Sequence, residues 1–424
     1  MSNNIFAENY ARGVVPEKEL VSGVTLAIVL IGMMLTLPMF VLGGELLKGL
    51  GARQGVAAFF FAGVLLAALA SVTGFIGAKT RLSTYSIIIA PFGAIGAKAL
   101  TAVLSTVAIG WFGVTVGFFG EAVDVTLREI AGVEWPAWIY KLAGGALMTG
   151  TVLFGFKGID LLNRIAVPLL VLVLIWSGIT LLGQSSLEEL WRTQGRADAS
   201  IQSFGLGVST VLGIVAGLAG GMPDLMRFAR TSNDVFVACV MSFGSLSIVF
   251  TILAGGPSLV TASSDFTENL IAIGLGAPAL ATLILATWTT NIVNLYAASL
   301  SLARLIEKRT DWILTVGAGV AGTVVALSGA TQHFIGILFV IGAMIPPIAG
   351  VYIAHYFLTR EAGETTTAKL RPRALIAWAL GSGAAFMTTF SQISLSTVPA
   401  IDAFAISASV YAVITLTFPQ RAGS

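Results

Sequence analysis

The stretch Gly32-Met33-Met34-Leu35-Thr36-Leu37-Pro38 interrupts an apolar run that extends from Val21 to Leu42. A second apolar segment is interrupted in the same way, at Gly213-Ile214-Val215-Ala216-Gly217-Leu218-Ala219-Gly220-Gly221, followed by Pro223. Glycine weakens a helix and proline removes a backbone donor. In lipid, backbone freed like this persists only where it faces protein or a wet cavity. Interruptions at matching places in two halves of a chain point to the binding site of a secondary transporter.

Composition places the rest of the chain in a membrane. Of 424 residues, 56% are hydrophobic and 10% charged, against about 25% charged in soluble domains. Apolar runs at 56–75, 100–119, 162–182 and 236–255 each approach the roughly 20 residues needed to cross hydrocarbon. The polar first twenty residues do not read as a cleavable signal peptide. The net charge of +2 does not imply nucleic acid, because the basic residues lie in short loops between spans. The single cysteine, Cys239, sits in an apolar run and is expected to pack.

Twelve spans are expected, near 20–48, 54–79, 94–124, 137–157, 159–183, 204–227, 234–258, 274–304, 311–329, 332–358, 373–392 and 397–418. Leu82–Gly93 reads as a half-helix between the second and third spans. Loops after even-numbered spans, with adjoining span ends, hold thirteen basic residues: Lys79, Arg81, Lys157, Arg164, Arg227, Arg230, Arg304, Lys308, Arg309, Arg360, Lys369, Arg371 and Arg373. Those after odd-numbered spans hold six: Lys48, Arg53, Arg128, Lys141, Arg192 and Arg196. The positive-inside rule then puts both termini in the cytoplasm. The broken spans are the first and the sixth, which begin two five-span groups running in opposite directions. The expected architecture is an all-α integral membrane protein with a five-plus-five inverted repeat. It divides into an N-terminal segment at 1–19, repeats at 20–183 and 184–358, and two accessory helices with a tail at 359–424.

Span three carries Ile109-Gly110-Trp111-Phe112-Gly113, with a tryptophan at mid-depth that could stack on a flat ligand or, as most aromatic residues in a membrane bundle do, simply pack. Span eight carries Ala286-Thr287-Trp288-Thr289-Thr290-Asn291-Ile292-Val293-Asn294. Its threonines and asparagines could bond between helices. Alternatively, the Thr289 and Thr290 hydroxyls with carbonyls freed in span one would supply the hard oxygens that alkali cations prefer. No charge lies at the middle of spans one, three, six or eight, so the substrate is expected to be neutral. Among the acidic residues Asp402, near the start of span twelve, is the one expected within the membrane, in a structural or interfacial role. Asp224 and Arg227 are spaced to pair at the end of span six, as a gate, a latch or a plain helix-end pair. His333 and His355 belong to no cluster with metal-ligand spacing, and no nucleophile has a plausible base. An enzyme is therefore not expected, and a channel is disfavoured by the absence of a charged ring or filter-like loop.

At these residues the chain resembles the nucleobase–cation symporter family, in particular its bacterial cytosine permeases, from about Val21 to the end of span ten. The resemblance is carried by Gly74-Phe75-Ile76-Gly77-Ala78-Lys79-Thr80, Gly110-Trp111-Phe112-Gly113, Asp224-Leu225-Met226-Arg227-Phe228, Trp288-Thr289-Thr290-Asn291 and Ile345-Pro346-Pro347-Ile348-Ala349-Gly350. It implies the leucine-transporter-type repeat and alternating access. It also implies a sodium site made by backbone carbonyls of Gly32, Leu35 and Ala286 and the hydroxyls of Thr289 and Thr290. Trp111 matches the family's stacking residue. Ala108, Val215 and Ala286 stand where the cytosine permeases carry glutamine, an aromatic residue and asparagine. A site with fewer polar groups suits a less polar or larger heterocycle than cytosine. Thr36, Thr115, Asn291, Asn294 and the backbone at Gly217 remain to read its polar edges.

The expected function is sodium-coupled symport of a neutral nucleobase-like heterocycle across a cytoplasmic (inner) membrane, by a monomer that needs no nucleic acid. The alternatives are proton-coupled uptake, the same fold carrying a small amino acid or a vitamin precursor such as hydroxymethylpyrimidine, and a non-transporting membrane protein, either a sensor or an enzyme.

Overall fold

The structure is a computed structural model that describes residues 14–153, 156–263, 265–306, 311–362, 369–390, 395, 396 and 398–418. Its helices are α1 (Gly23–Met34), α2 (Leu37–Thr80), α3 (Thr84–Ala131), α4 (Ala137–Leu153), α5 (Phe156–Gln184), α6 (Leu187–Arg192), α7 (Phe204–Gly220), α8 (Pro223–Met226) and α9 (Ser232–Met241). They continue as α10 (Ser247–Gly255), α11 (Ser258–Thr261), α12 (Phe266–Ala272), α13 (Gly276–Leu305), α14 (Asp311–Leu327), α15 (Phe334–Met344), α16 (Pro346–Thr359), α17 (Pro372–Phe390) and α18 (Pro399–Thr417).

Among the described residues these helices make twelve membrane spans. Helix α2 holds the second half of span one and all of span two, and the chain reverses at Gly51, where φ is +72°. Helix α3 begins as the expected half-helix and turns into span three at Gly93, also at φ +72°. Glycine enters this left-handed region without steric penalty, so these two positions set both reversals. Span six is α7 with α8, span seven is α9 with α10 through a π turn at Ser242–Leu246, and span ten is α15 with α16. Large apolar side chains such as Ile28, Phe60, Leu172, Ile179 and Val413 point outward, as a lipid-facing surface requires.

Span one breaks at Leu35 and Thr36, whose backbones leave the helical region (ψ 76° and 152°). Pro38 lies in the first turn of the next helix, where its missing N–H is not needed. Span six breaks at Gly221 and Met222, at the far end of the glycine-rich stretch rather than inside it. Gly213 and Gly217 stay helical. A Cβ on Gly213 would stand 2.5 Å from the Leu338 carbonyl oxygen, so that glycine serves the close packing of α7 against α15. Span ten has a lapse of its own at Ile345, because Pro346 and Pro347 have no N–H to offer.

Two short backbone bridges tie the broken spans together. Val21 donates to the Phe228 carbonyl (2.8 Å) and Arg230 to that of Val21 (3.2 Å). At the opposite end, Arg196 donates to the Lys48 carbonyl (2.9 Å) and Ala52 to that of Thr193 (3.2 Å). The start of span one thus meets the end of span six, and its end meets the approach to span six, as an inverted repeat demands.

Small residues set the helix spacing. A Cβ on Gly77 would lie 2.5 Å from Pro223 Cα, and one on Gly110 would meet nothing within 4 Å. Gly77→Ala is therefore expected to cost about 1–3 kcal/mol through overpacking against backbone, read as a lower unfolding temperature in detergent. Gly110→Ala should be neutral or mildly stabilising; equal losses at both positions would contradict the packing account.

Candidate functional site

The two breaks treat their freed carbonyls differently. Among the described residues, no hydrogen bond reaches the carbonyls of Gly32, Met33 or Leu35 at the first break. At the second, Thr73 donates to Ala219 (2.8 Å), Tyr352 to Gly220 (2.7 Å) and Thr84 to Gly221 (3.3 Å). The first break keeps oxygens available to a ligand. At the second, side chains from α2 and α16 cap Ala219 and Gly220, and Gly221 accepts from Thr84 of α3 as well as from the Asp224 N–H (3.0 Å).

Between the breaks lies a cavity of about 320 Å³, near the lower end of the roughly 300–1,000 Å³ typical of small-molecule sites. Met33 and Thr36 line it from the first break, Trp111 and Thr115 from α3, Val215 and Gly217 from α7, and Thr290 and Asn294 from α13. Span ten adds Ile345, Ile348 and Ala349. The cavity runs on past Ser301 to Thr84, Tyr85 and Asp224, at the end of the bundle that carries Lys79, Arg81, Arg227 and Arg230. At the other end Phe334 packs edge-on against Trp111 (6.1 Å between centroids) and Phe118 (5.2 Å), and Phe40 meets Phe266 (4.9 Å). Beside Phe266, burial pushes the Asp265 carboxyl above the usual carboxylate range, although the Glu268 and Thr267 amides that it caps pull the other way.

The wall is largely apolar, with methionines 33, 34 and 39 around the first break. Besides Ser301 toward the basic end, three polar groups on the wall remain unpartnered among the described residues. The Thr36 and Thr290 hydroxyls make no hydrogen bond. Asn294 donates through Nδ2 to Asn291 Oδ1 (3.3 Å), which leaves its own carbonyl oxygen free. Thr115 already donates to the Trp111 carbonyl (2.8 Å) and can only accept. Asp224 is the one charged side chain on the described wall, and it stands at the basic end.

Seven expected residues thus share one cavity: Trp111, Thr36, Thr115, Val215, Gly217, Asn294 and Thr290. Asn291 does not line it. It is fully buried and donates to the Phe112 carbonyl and Met148 Sδ (3.1 Å each), joining α13 to α3 and α4. Gly32 and Leu35 flank the first break behind the lining, Ala286 sits one turn before Thr290 in α13, and Thr289 is buried. Asp224 Oδ1 accepts the Thr84 N–H (3.0 Å) and so caps the half-helix, while Arg227 donates to the Asp224 backbone carbonyl (3.1 Å). Asp402 is buried and takes bonds from Thr388, Leu395 and Ser396, which fix the approach to α18. Tyr85, Ser301 and the span-ten residues Ile345, Ile348 and Ala349 also line the cavity, although the sequence did not mark them as site residues.

A profile of the permease family for cytosine/purines, uracil, thiamine and allantoin matches residues 14–413. The cytosine permease of Escherichia coli K12 is 31% identical over 388 residues, covering 89% of this chain and 88% of the relative. The allantoin permease of Bacillus subtilis is 25% identical, covering 75% and 71%. Among solved structures, the nucleobase-cation-symport-1 family transporter Mhp1, closed with bromovinylhydantoin bound, aligns with a TM-score of 0.80 at 17% identity over 98% of both chains. A Na+-coupled sialic acid symporter aligns at 0.68 and 14% identity, over 97% of this chain and 92% of its own. The broken-helix bundle is the fold of these transporters, and by sequence the chain belongs to the permease family for cytosine/purines, uracil, thiamine and allantoin.

Proposed function

We propose that the protein carries a neutral, flat heterocycle together with sodium by alternating access. The observation that carries this reading is the shared cavity. An aromatic face at Trp111 and unpartnered polar groups at Thr36, Thr290 and Asn294 converge on it, and uncapped carbonyls of the first break lie beside it. The flat face suits a ring, and the few polar groups suit its edges. The oxygens of Gly32, Leu35, Ala286, Thr289 and Thr290 match the chemistry of an alkali cation as co-substrate. With only Asp224 charged on the described wall, a zwitterionic amino acid finds no paired counter-charges beside Trp111. The apolar methionine wall favours a heterocycle with an apolar edge or substituent over cytosine, because unpaired polar edges are costly to bury.

The basic end is the cytoplasmic one under the positive-inside rule. The cavity then opens inward and the Phe334 side is the outer seal, in an inner membrane with both termini cytoplasmic. The protein works as a monomer. Thermal unfolding of purified protein tests the reading, with cytosine, uracil, hypoxanthine, adenine, hydantoin, allantoin, hydroxymethylpyrimidine and amino acids, each in sodium and in potassium. A ligand at a hundredfold excess over Kd should add about 2.7 kcal/mol of stability. One heterocycle should stabilise, and more strongly in sodium. Stabilisation by an amino acid and by no heterocycle would overturn the substrate class.

A further inference from the structure

The capped break in span six carries a second inference, which rests on the transport reading. Gly220 lines the cavity, and its carbonyl has lost its helical donor at the break, where the Asp224 N–H goes to Gly221. Instead it accepts a 2.7 Å hydrogen bond from the phenol of Tyr352, a side chain 1% exposed on α16. Its neighbours Ala219 and Gly221 are taken by Thr73 and Thr84. No such cap exists at the first break among the described residues, so closing a broken helix in this fold does not itself demand one.

The donor's position gives the cap its meaning. Span ten carries Phe334 at one end, edge-on to Trp111, and Tyr352 at the other, bonded to the broken backbone of span six. Between them the helix lapses at Ile345, whose side chain lines the cavity. A single span thus touches the stacking face, the ligand space and the inner break. Closure at one end and opening at the other must be mutually exclusive for coupled transport, and the differential contacts of each state carry that exclusion.

We propose that Tyr352 is a positioning residue for transport: its hydroxyl joins span ten to the break in span six, so that movement around Phe334 and Trp111 is transmitted to the inner end. Tyr352→Phe removes one oxygen from this joint and leaves the cavity wall and the stacking face in place. Substrate affinity should then stay within about twofold, while the maximal uptake rate per folded molecule falls roughly tenfold, the scale of one buried hydrogen bond. A purely structural hydroxyl would lower the yield of folded protein and leave the rate per folded molecule alone.

The experiment measures heterocycle binding by thermal shift and uptake into proteoliposomes, both normalised to folded protein, for the wild type and three variants. Thr73→Val removes a second cap of the same break and should shift rate without affinity in the same direction. Tyr411→Phe removes a buried phenol that bonds His355 Nδ1 (2.9 Å) on the same helix but does not touch the break, and should transport as the wild type does. Tyr352→Phe with an unchanged rate, or with rate and affinity lost together, would overturn the proposal. If Tyr352→Phe does not fold, Thr73→Val decides by the same criteria. A wild type that binds heterocycles without transporting any would instead overturn the transport reading on which the proposal stands.

Discussion

Trp111→Ala is expected to weaken heterocycle binding between roughly tenfold and a hundredfold, following the ~1–3 kcal/mol that stacking a base on an aromatic ring contributes. Sodium-dependent stabilisation should survive. The indole is half-buried, borders the cavity on one side and meets Phe334 edge-on at 74° on the other. Phe334 in turn packs on Phe118. That scaffold holds the ring at one angle, so a ligand gains stacking without first ordering the side chain. Trp111→Phe should recover part of the loss, because a smaller face still stacks. The measurement is a titration followed by thermal unfolding, in sodium. Equal losses of ligand and sodium stabilisation would show that the substitution damages the bundle rather than the site.

The fold was legible in the sequence to an uneven depth, for physical reasons. Spans one and six declared themselves because glycine and proline interrupt runs long enough to cross lipid, and lipid leaves broken backbone few places to be. The half-helix ahead of Gly93 was legible for the same reason. Span ten was not, although Pro346-Pro347 stands in its middle. Prolines at the opening of α16 are compatible with a helix start, so the pair does not by itself signal a lapse. The position of the span-six break was also hidden. Gly213, Gly217 and Gly220 look alike in sequence, and only the nearby Leu338 carbonyl shows that Gly213 is there for packing.

The site followed the same division. Residues on the faces of spans one, three, six and eight converged as their placement suggested. Asn291 did not, because a buried amide goes where partners exist, and Phe112 and Met148 supply them. Asp224 found the half-helix, 140 residues earlier in the chain, in preference to the arginine three residues on. Tyr352 reaches back 132 residues to Gly220. Partners so distant leave no periodic trace, and the hydroxyl that caps a break looks like any other tyrosine until the helices are assembled.

Thr290→Ala is expected to remove most of the sodium dependence of substrate binding and to leave binding in potassium near the wild-type value. Thr290 Oγ1 faces the cavity and makes no hydrogen bond among the described residues, so deleting it strands no partner and opens no packed core. Neighbouring Thr289 is 1% exposed, and its loss would carry a packing cost as well. Removing one oxygen from a small cation's shell forfeits roughly the 1.5–3 kcal/mol of a charge-assisted contact. The sodium concentration for half-maximal effect should therefore rise by tenfold or more. Thr290→Ser keeps the oxygen and should keep the dependence. Coupling between two ligands is reciprocal. If sodium tightens substrate binding in the wild type by some factor, saturating substrate must tighten sodium by the same factor, and Thr290→Ala should reduce both factors together. Substrate titrations at several sodium concentrations measure one, and sodium titrations with and without substrate measure the other. A Thr290→Ala protein with undiminished coupling would place the cation elsewhere. A protein in which substrate affinity also collapses in potassium would make Thr290 a reader of the heterocycle instead.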